Sequence, residues 1–246
     1  MLDLHLDSSK LEIGCDEAGR GCLSGPVYAG AVLLPPSFQN ELLNDSKKLS
    51  EKHRYELRPI IEREALAWGV GSCTPEEIDQ INILNASILS MHRAVDQLLK
   101  RLNLLKDAFD SAASKDIVVD KSILDKKDQL IANGWNRDYL DRAIALLIDG
   151  NRFKPYHKDI PYTTVIKGDG KLMPIAAASI LAKTYRDDYM KRLDTQYPQY
   201  GWKKNAGYPT KQHRQAIRDF GITPYHRKSF RLLPDVTVQE LPFVEE

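Results

Sequence analysis

The 246-residue sequence lacks the features that mark several classes of protein. It has no run of about 18 apolar residues, which a membrane-spanning helix requires. Its N-terminus has no basic stretch followed by an apolar run, the pattern of a secretory signal. The three cysteines, Cys15, Cys22 and Cys73, are odd in number and lack the paired spacing of a zinc site. These absences predict a soluble, cytoplasmic protein without a membrane partner, a disulfide framework or structural zinc.

Aromatic residues are also scarce, at 8% of the chain, and we find no internal repeat and no low-complexity linker. Apolar residues nevertheless make up 42%, which is enough to fill a sizeable core in a chain of this length. We therefore predict one domain over residues 1–246, with its core at about 11–200 and a basic C-terminal portion at about 201–246.

Charge is unevenly distributed along the chain, although the formal net charge is only +1. Residues 151–234 contain 17 Lys or Arg against 6 Asp or Glu, whereas the rest of the chain is acidic. A segregated basic region is typical of proteins with a polyanionic partner. A solvated, lysine-rich surface would give the same counts, so charge alone leaves both interpretations open.

Apolar runs bounded by glycine or proline predict five strands, and periodic apolar stripes that follow capping signals predict the main helices. The first strands are joined by short turns, and the later ones alternate with helices. This order predicts an α/β fold, a mixed sheet flanked by helices. The predicted strands lie at residues 11–17, 26–34, 65–73, 143–150 and 161–167, and the predicted helices at about 51–64, 74–102, 174–196 and 210–220.

Three of the predicted strands terminate in an acid next to glycine, at Asp16-Glu17, Asp149-Gly150 and Gly168-Asp169-Gly170. Strands that end at the same edge of a sheet can bring such side chains together. Taken singly, each aspartate is better explained as a turn former. Four carboxylates beside a basic region instead favour a site for Mg²⁺ or Mn²⁺, two of which would serve phosphodiester cleavage.

Paired carboxylates also serve glycoside hydrolysis, which is a different class of reaction. A sugar site has no need of the basic surplus, and the low aromatic content provides few stacking platforms for sugar rings. The turn Gly19-Arg20-Gly21 follows the first acid pair directly. Glycines there would expose backbone N–H groups, which suits metal and phosphate chemistry.

Seven motifs, in the same order, resemble those of bacterial ribonuclease HII, and the resemblance covers about residues 13–230. It implies a ribonuclease H-like fold with a helical C-terminal portion that binds substrate. It also implies endonucleolytic cleavage of RNA paired or joined to DNA, leaving 5′-phosphate and 3′-hydroxyl ends. The motifs are D-E-A-G-R-G at 16–21, D-S-K-K-L-S at 45–50, D-G-N-R at 149–152, K-G-D at 167–169, A-A-S-I-L-A-K at 177–183 with R-D at 186–187, G-Y-P-T at 207–210 and H-R-K-S-F at 226–230.

By this resemblance, four carboxylates would be both catalytic and metal-binding, holding two Mg²⁺ or Mn²⁺ ions. They are Asp16, Glu17, Asp149 and Asp169. Asp187 is the chief rival of Asp169 as the fourth ligand. Asp120, which follows an apolar run, is a rival for the third, but only Asp149 continues into the matching Gly-Asn-Arg.

The resemblance also implies a set of substrate-binding residues. The glycine-rich turn would read the ribose 2′-hydroxyl, a tyrosine would sense the junction between RNA and DNA, and lysines would contact phosphates. Three of the residues repeat at i, i+4 and i+8, so they would share one face of a helix. The set is Gly19, Arg20, Gly21, Lys47, Lys167, Ser179, Lys183, Asp187 and Tyr208.

Residues 103–142 depart from the family pattern, because they are longer than the usual connection before the Asp149 strand, and we interpret them as an insertion. The expected substrates are RNA·DNA hybrids and duplex DNA that contains ribonucleotides, bound by a monomer. A non-catalytic module that binds hybrids is the alternative. It would gain nothing from clustered carboxylates facing phosphate.

Overall fold

A five-stranded sheet lies between helices in a computed structural model that describes residues 2–43, 49–110, 121–156, 159–237 and 241–243. The strands are β1 (Leu11–Ala18), β2 (Val27–Leu33), β3 (Ala67–Cys73), β4 (Ile144–Asp149) and β5 (Tyr162–Val165). Their order is β3-β2-β1-β4-β5, so β1 is central. It pairs antiparallel with β2 and parallel with β4. The mixed sheet predicted from the sequence is confirmed.

The helices predicted at about 51–64, 174–196 and 210–220 lie close to their predicted positions, the one predicted at 74–102 extends to Asp110, and a short helix replaces the loop predicted from residue 202. The helices are α1 (Glu51–Glu64), α2 (Pro75–Asp110), α3 (Lys121–Ala132), α4 (Arg137–Leu140), α5 (Met173–Gln196), α6 (Trp202–Asn205) and α7 (Lys211–Phe220), with 3₁₀ turns at Gly168–Gly170 and Pro198–Tyr200. Across the described residues, no helix combines the length and apolar character that crossing a membrane demands.

Capping residues set the helix starts as predicted. The Ser50 hydroxyl accepts a hydrogen bond from His53 N at 3.2 Å at the start of α1. At the start of α2, Thr74 N donates to the Glu77 carboxylate at 2.9 Å, and Glu77 N donates to the Thr74 hydroxyl at 3.2 Å. This reciprocal pair satisfies two backbone donors that the first turn of a helix leaves without partners.

Helix α2 is interrupted at Asn82, where the sequence predicts one continuous helix. Asn82 has φ 64 and ψ 162, which are not helical values. Its side-chain oxygen accepts hydrogen bonds from the backbone N of Leu84 and Asn85, both at 3.1 Å, and so caps the part that follows. The first part packs through Ile78 against Val27, whereas the second part enters the main core.

The two faces of the sheet are covered by different helices because alternate side chains of a strand point to opposite faces. Ile13 and Cys15 of β1 lie in a core that α2 closes. Gly14 and Gly30 lie on the other face, where a Cβ atom would stand 2.1 Å from the backbone of Pro174 and 2.2 Å from that of Ala178. These two glycines therefore let α5 lie directly against β1 and β2.

The segment that contains the predicted insertion contributes to the main core as well as to the surface. Leu105 of α2, Leu130 of α3 and Leu140 of α4 are buried in the cluster that contains Ile13. The C-terminal portion has a smaller core of its own, in which Trp202 and Tyr200 stack with ring centroids 4.8 Å apart. That second core holds the residues after α5 against the sheet edge where β1 ends.

Candidate active site

The C-terminal ends of β1 and β4 meet at one edge of the sheet. The parallel register pairs Cys15 with Ile148, so the next residues, Asp16 and Asp149, lie side by side. A cavity of about 360 Å³ opens at this edge. Nine of the residues expected to act on metal or substrate line it: Asp16, Glu17, Gly19, Arg20, Gly21, Asp149, Lys183, Asp187 and Tyr208.

Asp169 is not part of the wall of this cavity. The Asp149 carboxylate accepts a hydrogen bond from Gly168 N at 2.7 Å, which ties the turn that carries Asp169 to the end of β4. Asp169 is only 1% exposed and does not line the cavity, whereas its rival Asp187 does. Of the two candidates for the fourth carboxylate, Asp187 thus lines the cavity, and Asp169 is buried in the turn tied to the end of β4.

The remaining expected residues lie elsewhere. Lys167 is exposed at the start of the Gly168 turn, with a left-handed φ of 56°, and does not line the cavity. Ser179 is buried on α5. Lys47 and Asp120 lie outside the described residues, so their roles stay predictions from the sequence.

Asp16 is buried among other carboxylates. Burial contributes most to raising its pKa to about 8, and the neighbouring Glu17 and Asp149 raise it further. Lys183 and a hydrogen bond from the Ser179 hydroxyl oppose this rise. The charged form of Asp16 is therefore unfavourable in the protein alone, and a bound cation would stabilise it.

The Glu17 carboxylate is partly neutralised by the glycine-rich turn. Arg20 Nη1 donates to Glu17 Oε1 at 3.0 Å, and half of the Arg20 side chain remains exposed. Burial still raises the pKa of Glu17, against the lowering effect of Arg20. The turn therefore reaches from the carboxylates to the surface.

One face of α5 forms a wall of the cavity, as the i, i+4, i+8 spacing predicts. Lys183 Nζ donates to the Ser179 hydroxyl at 2.6 Å, and that hydroxyl in turn donates to the Asp16 carboxylate. Asp187 follows one turn later, and burial raises its pKa. The row connects a cation at the cavity wall to the buried Asp16.

Two buried arginines hold the loop between β1 and β2, and the sequence interpretation missed both roles. Arg186 donates through Nε to Pro26 O at 2.9 Å and through Nη2 to Ser24 O at 3.2 Å. Arg227 donates to Gly25 O and to Arg20 O, both at 2.9 Å. These bonds satisfy backbone carbonyls of the loop and so set the shape of the turn that lines the cavity.

A signal for one of these arginines was present in the sequence. Arg186 lies four residues after Ala182 and four before Met190, and all three are buried. That spacing assigns Arg186 to the buried stripe of α5. A third missed residue, Arg54 of α1, also lines the cavity and carries no comparable signal.

Tyr208 is 49% exposed, and its position is held by its neighbours. Burial raises the pKa of its hydroxyl, and the neighbouring Cys22 adds to the rise. Its carbonyl accepts from Thr210 N at 2.8 Å and from His213 Nδ1 at 3.0 Å. Trp202 Nε1 donates to His213 Nε2 at 3.0 Å, which places the proton of the neutral imidazole on Nδ1.

The donor set at the strand ends fits a hard divalent cation, because it consists of carboxylate oxygens crowded into a buried edge. Within the described ranges, no three His, Cys, Asp or Glu side chains are already gathered so that they could hold a metal ion. The fit therefore rests on the chemistry of the carboxylates and on the raised pKa of Asp16.

We expect the chelator-treated protein to lose stability as pH rises, because Asp16 releases its proton late. The ordinary pKa is 3.8 and the folded value is about 8, so the folded chain binds more protons than the unfolded chain between these values. The free energy of unfolding contributed by this group then falls with increasing pH over that range. Thermal unfolding in EDTA between about pH 4 and pH 8 should show a smaller fall for Asp16→Asn than for the wild type.

At the upper end of that range, Asp16→Asn should melt roughly 2–6 °C above the wild type, because asparagine carries no charge to bury. Asp125→Asn, a change at an exposed position on α3, provides the matched control and should follow the wild-type curve. Parallel curves for wild type and Asp16→Asn would show that Asp16 does not titrate in this range.

The sequence of this chain is similar to those of known proteins. A family model described as Ribonuclease HII matches residues 13–233. The protein named "Ribonuclease HII" from Parabacteroides distasonis is 55% identical over 235 residues, which are 96% of this chain and 97% of the relative. The match therefore covers the strand-end carboxylates, the glycine-rich turn and the C-terminal portion together.

Solved structures share the fold at much lower identity. The chain aligns with "Structure of the PCNA:RNase HII complex from Archaeoglobus fulgidus" at a TM-score of 0.58 and 21% identity, covering 94% of this chain and 99% of that one. It aligns with "Crystal structure of Bst-RNase HIII in complex with Mn2+" at a TM-score of 0.53 and 16% identity, covering 87% of this chain and 63% of that one. At these identities the likeness concerns the fold alone.

Proposed function

This chain belongs to the ribonuclease HII family, and we propose that the residues at the ends of β1 and β4 carry out its cleavage of RNA joined or paired to DNA. The chain is a ribonuclease H-type endonuclease, a hydrolase of phosphodiester bonds, which sets aside the alternative of a non-catalytic module. We propose that it cuts the RNA strand of RNA·DNA hybrids and also at ribonucleotides embedded in duplex DNA. The observation that carries this proposal is the pair of adjacent carboxylates, the buried Asp16 and the half-buried Asp149, beside a glycine-rich turn in one cavity.

We propose that Asp16, Glu17, Asp149 and Asp169 hold Mg²⁺ or Mn²⁺, two ions for each site. Divalent cations bound there would lower the pKa of a water molecule and neutralise charge that develops at the phosphate. The chain contributes closely spaced acids, and because burial and like charges raise the pKa of Asp16, a bound cation would favour its ionised form. Lys183 remains beside Asp16 to meet a phosphate oxygen from the side of α5.

The turn Gly19-Arg20-Gly21 is the proposed reader of the ribose 2′-hydroxyl, which distinguishes RNA from DNA. A Cβ atom at Gly21 would meet no protein atom within 4 Å, so the backbone there is open to an approaching sugar. Tyr208, half exposed at the cavity wall, is proposed to pack against the adjacent nucleotide. Recognition of the sugar and the chemistry would thus share one strand end.

Phosphate contacts are proposed for Lys183, Lys167 and Lys47. Lys183 lines the cavity, and Lys167 is exposed at the turn that carries Asp169. Asp187 and Ser179 complete the proposed substrate-binding face of α5, Ser179 by orienting Lys183. The C-terminal portion would add basic surface to the same groove.

The proposed function predicts cleavage that depends on both the ribonucleotide and a divalent ion. A DNA duplex with one embedded ribonucleotide should be cut in Mg²⁺ or Mn²⁺ and remain intact in EDTA, whereas the all-DNA duplex should remain intact throughout. The products should carry 5′-phosphate and 3′-hydroxyl ends, which ligation by a DNA ligase detects. At low metal concentration the rate should rise with about the second power of that concentration, as two ions require.

Equal cleavage of both duplexes would refute the proposed substrate, and cleavage in EDTA would refute the metal requirement. A first-power dependence on metal would reduce the proposed number of ions to one and leave the substrate unaffected.

A further inference from the structure

A second groove of about 270 Å³ continues from the active-site cavity along the C-terminal portion. We call it the side groove. Arg54, Asp187 and Tyr208 line both spaces, so the two are contiguous. The side groove then extends to Trp202, Lys203 and Lys204. Tyr208 therefore stands at the passage between the two.

The two spaces differ in charge. In the part of the chain that the structure describes, the active-site cavity is lined by four acidic and four basic side chains, and the side groove by two acidic and four basic ones. Lys191 is already paired with Glu51 at 2.7 Å, which leaves the positive surplus at the far end. Lys203 and Lys204 are exposed there, and neither has a carboxylate partner among the described residues.

Packing and hydrogen bonds hold the backbone that forms the wall of the side groove. Trp202 is fully buried, stacks on Tyr200 and donates to His213. Lys203 N donates to the Asp194 carboxylate at 2.9 Å, which ties the start of α6 to α5. The two lysines thus project from a fixed backbone, and replacing their side chains removes none of these bonds.

The side groove lacks the element that is proposed to read the sugar. Gly19, Arg20 and Gly21 line the active-site cavity but not the side groove. A nucleotide bound there would be contacted through its phosphate, and its 2′-hydroxyl would not be recognised. Such contacts suit the DNA that flanks a ribonucleotide on one side.

We propose that the side groove binds the phosphates of the flanking DNA on the far side of Tyr208 from the ribonucleotide, with Lys203 and Lys204 as the contacts. This inference rests on the proposed function and adds to it a separate subsite that does not read the sugar. Its contacts are electrostatic, so the contribution to binding is steeply dependent on salt.

The test compares K203A/K204A with K100A/K121A, a control that removes two exposed lysines from α2 and α3. Binding to a duplex with one ribonucleotide is followed by fluorescence anisotropy in EDTA over a range of salt, and KM is measured with metal. K203A/K204A should weaken binding about tenfold at physiological salt and reduce the salt slope by about 1–2. K203R/K204R, which keeps the charges, should restore most of the affinity, and the control should stay within about twofold of wild type.

Two shortened duplexes locate the contact, one lacking DNA on the 5′ side of the ribonucleotide and the other lacking it on the 3′ side. One of the two truncations, and not the other, should abolish the difference between K203A/K204A and wild type. A difference that survives both truncations, a loss equal to that of the control, or an unchanged salt slope would overturn the proposal. Absence of cleavage by the wild type would count against the proposed function, whereas the anisotropy still tests the side groove.

Discussion

Asp149→Asn is expected to reduce cleavage by about 1,000-fold or more, equivalent to about 4 kcal/mol of transition-state stabilisation, while the fold is kept. Asparagine retains the side-chain oxygen that accepts the hydrogen bond from Gly168 N at 2.7 Å. The turn that carries Asp169 therefore stays tied to β4. What is lost is one negative charge at the site proposed to hold the cations.

Single-turnover cleavage of a duplex with one ribonucleotide measures the loss, and anisotropy measures binding of the same duplex in EDTA. Binding should be as tight as that of wild type or tighter, since a carboxylate facing phosphate has been removed. Asp125→Asn is the matched control and should cleave at the wild-type rate. Activity of Asp149→Asn within tenfold of wild type would remove Asp149 from the proposed ligand set.

Gly19→Ala and Gly21→Ala are expected to fail in different ways, although the two glycines flank one arginine. Gly19 has a φ of 91°, and a Cβ atom there would lie 2.0 Å from Arg186 Nε. The substitution therefore strains the backbone and displaces Arg186, which holds the carbonyls of Ser24 and Pro26. We expect a loss of about 3 kcal/mol in the free energy of unfolding, or roughly 6–12 °C in Tm, together with loss of cleavage.

Gly21→Ala should leave the Tm within about 2 °C of wild type, because its Cβ atom would meet no protein atom and its φ is not left-handed. Cleavage at a ribonucleotide should nevertheless fall by about 10- to 100-fold, since the new methyl group would stand where a sugar is proposed to approach the backbone. Thermal unfolding and kcat/KM for both variants test the pair together. Wild-type kinetics for Gly21→Ala would contradict a reading role for this turn.

The strands and helix starts could be predicted because their signals are local. The apolar run at 143–150 and the reciprocal pair of Thr74 and Glu77 need only their immediate neighbours. The break of α2 at Asn82 could not, because apolar residues keep a helical spacing across it. Ile78, before the break, packs in a cluster with Val27, whereas later residues of α2 pack in the main core. The helix must change direction at Asn82 to reach both.

The carboxylates of the site illustrate the same division. That acids stand at the ends of β1 and β4 is visible in the sequence, whereas the parallel register that sets Asp16 beside Asp149 is a consequence of the sheet. The sequence does not decide between Asp169 and Asp187 as the fourth ligand, because the first follows a predicted strand and the second lies on a predicted helix beside other site residues. In the structure Asp169 is buried and does not line the cavity, whereas Asp187 does, since the Gly168 turn is hydrogen-bonded to Asp149 while α5 passes over Gly14 and Gly30.

By itself, the sequence determined the family, the order of the strands and helices, and the types of residue that stand at the strand ends. Only the tertiary structure decided where the basic surplus of residues 151–234 is placed. Lys203 and Lys204 face a groove, whereas Arg186 and Arg227 are buried and bond to carbonyls 160 and 202 positions away in the chain. A count of charges records how many cations a segment has, but burial depends on which distant backbone atoms need a donor, and folding alone brings those atoms together.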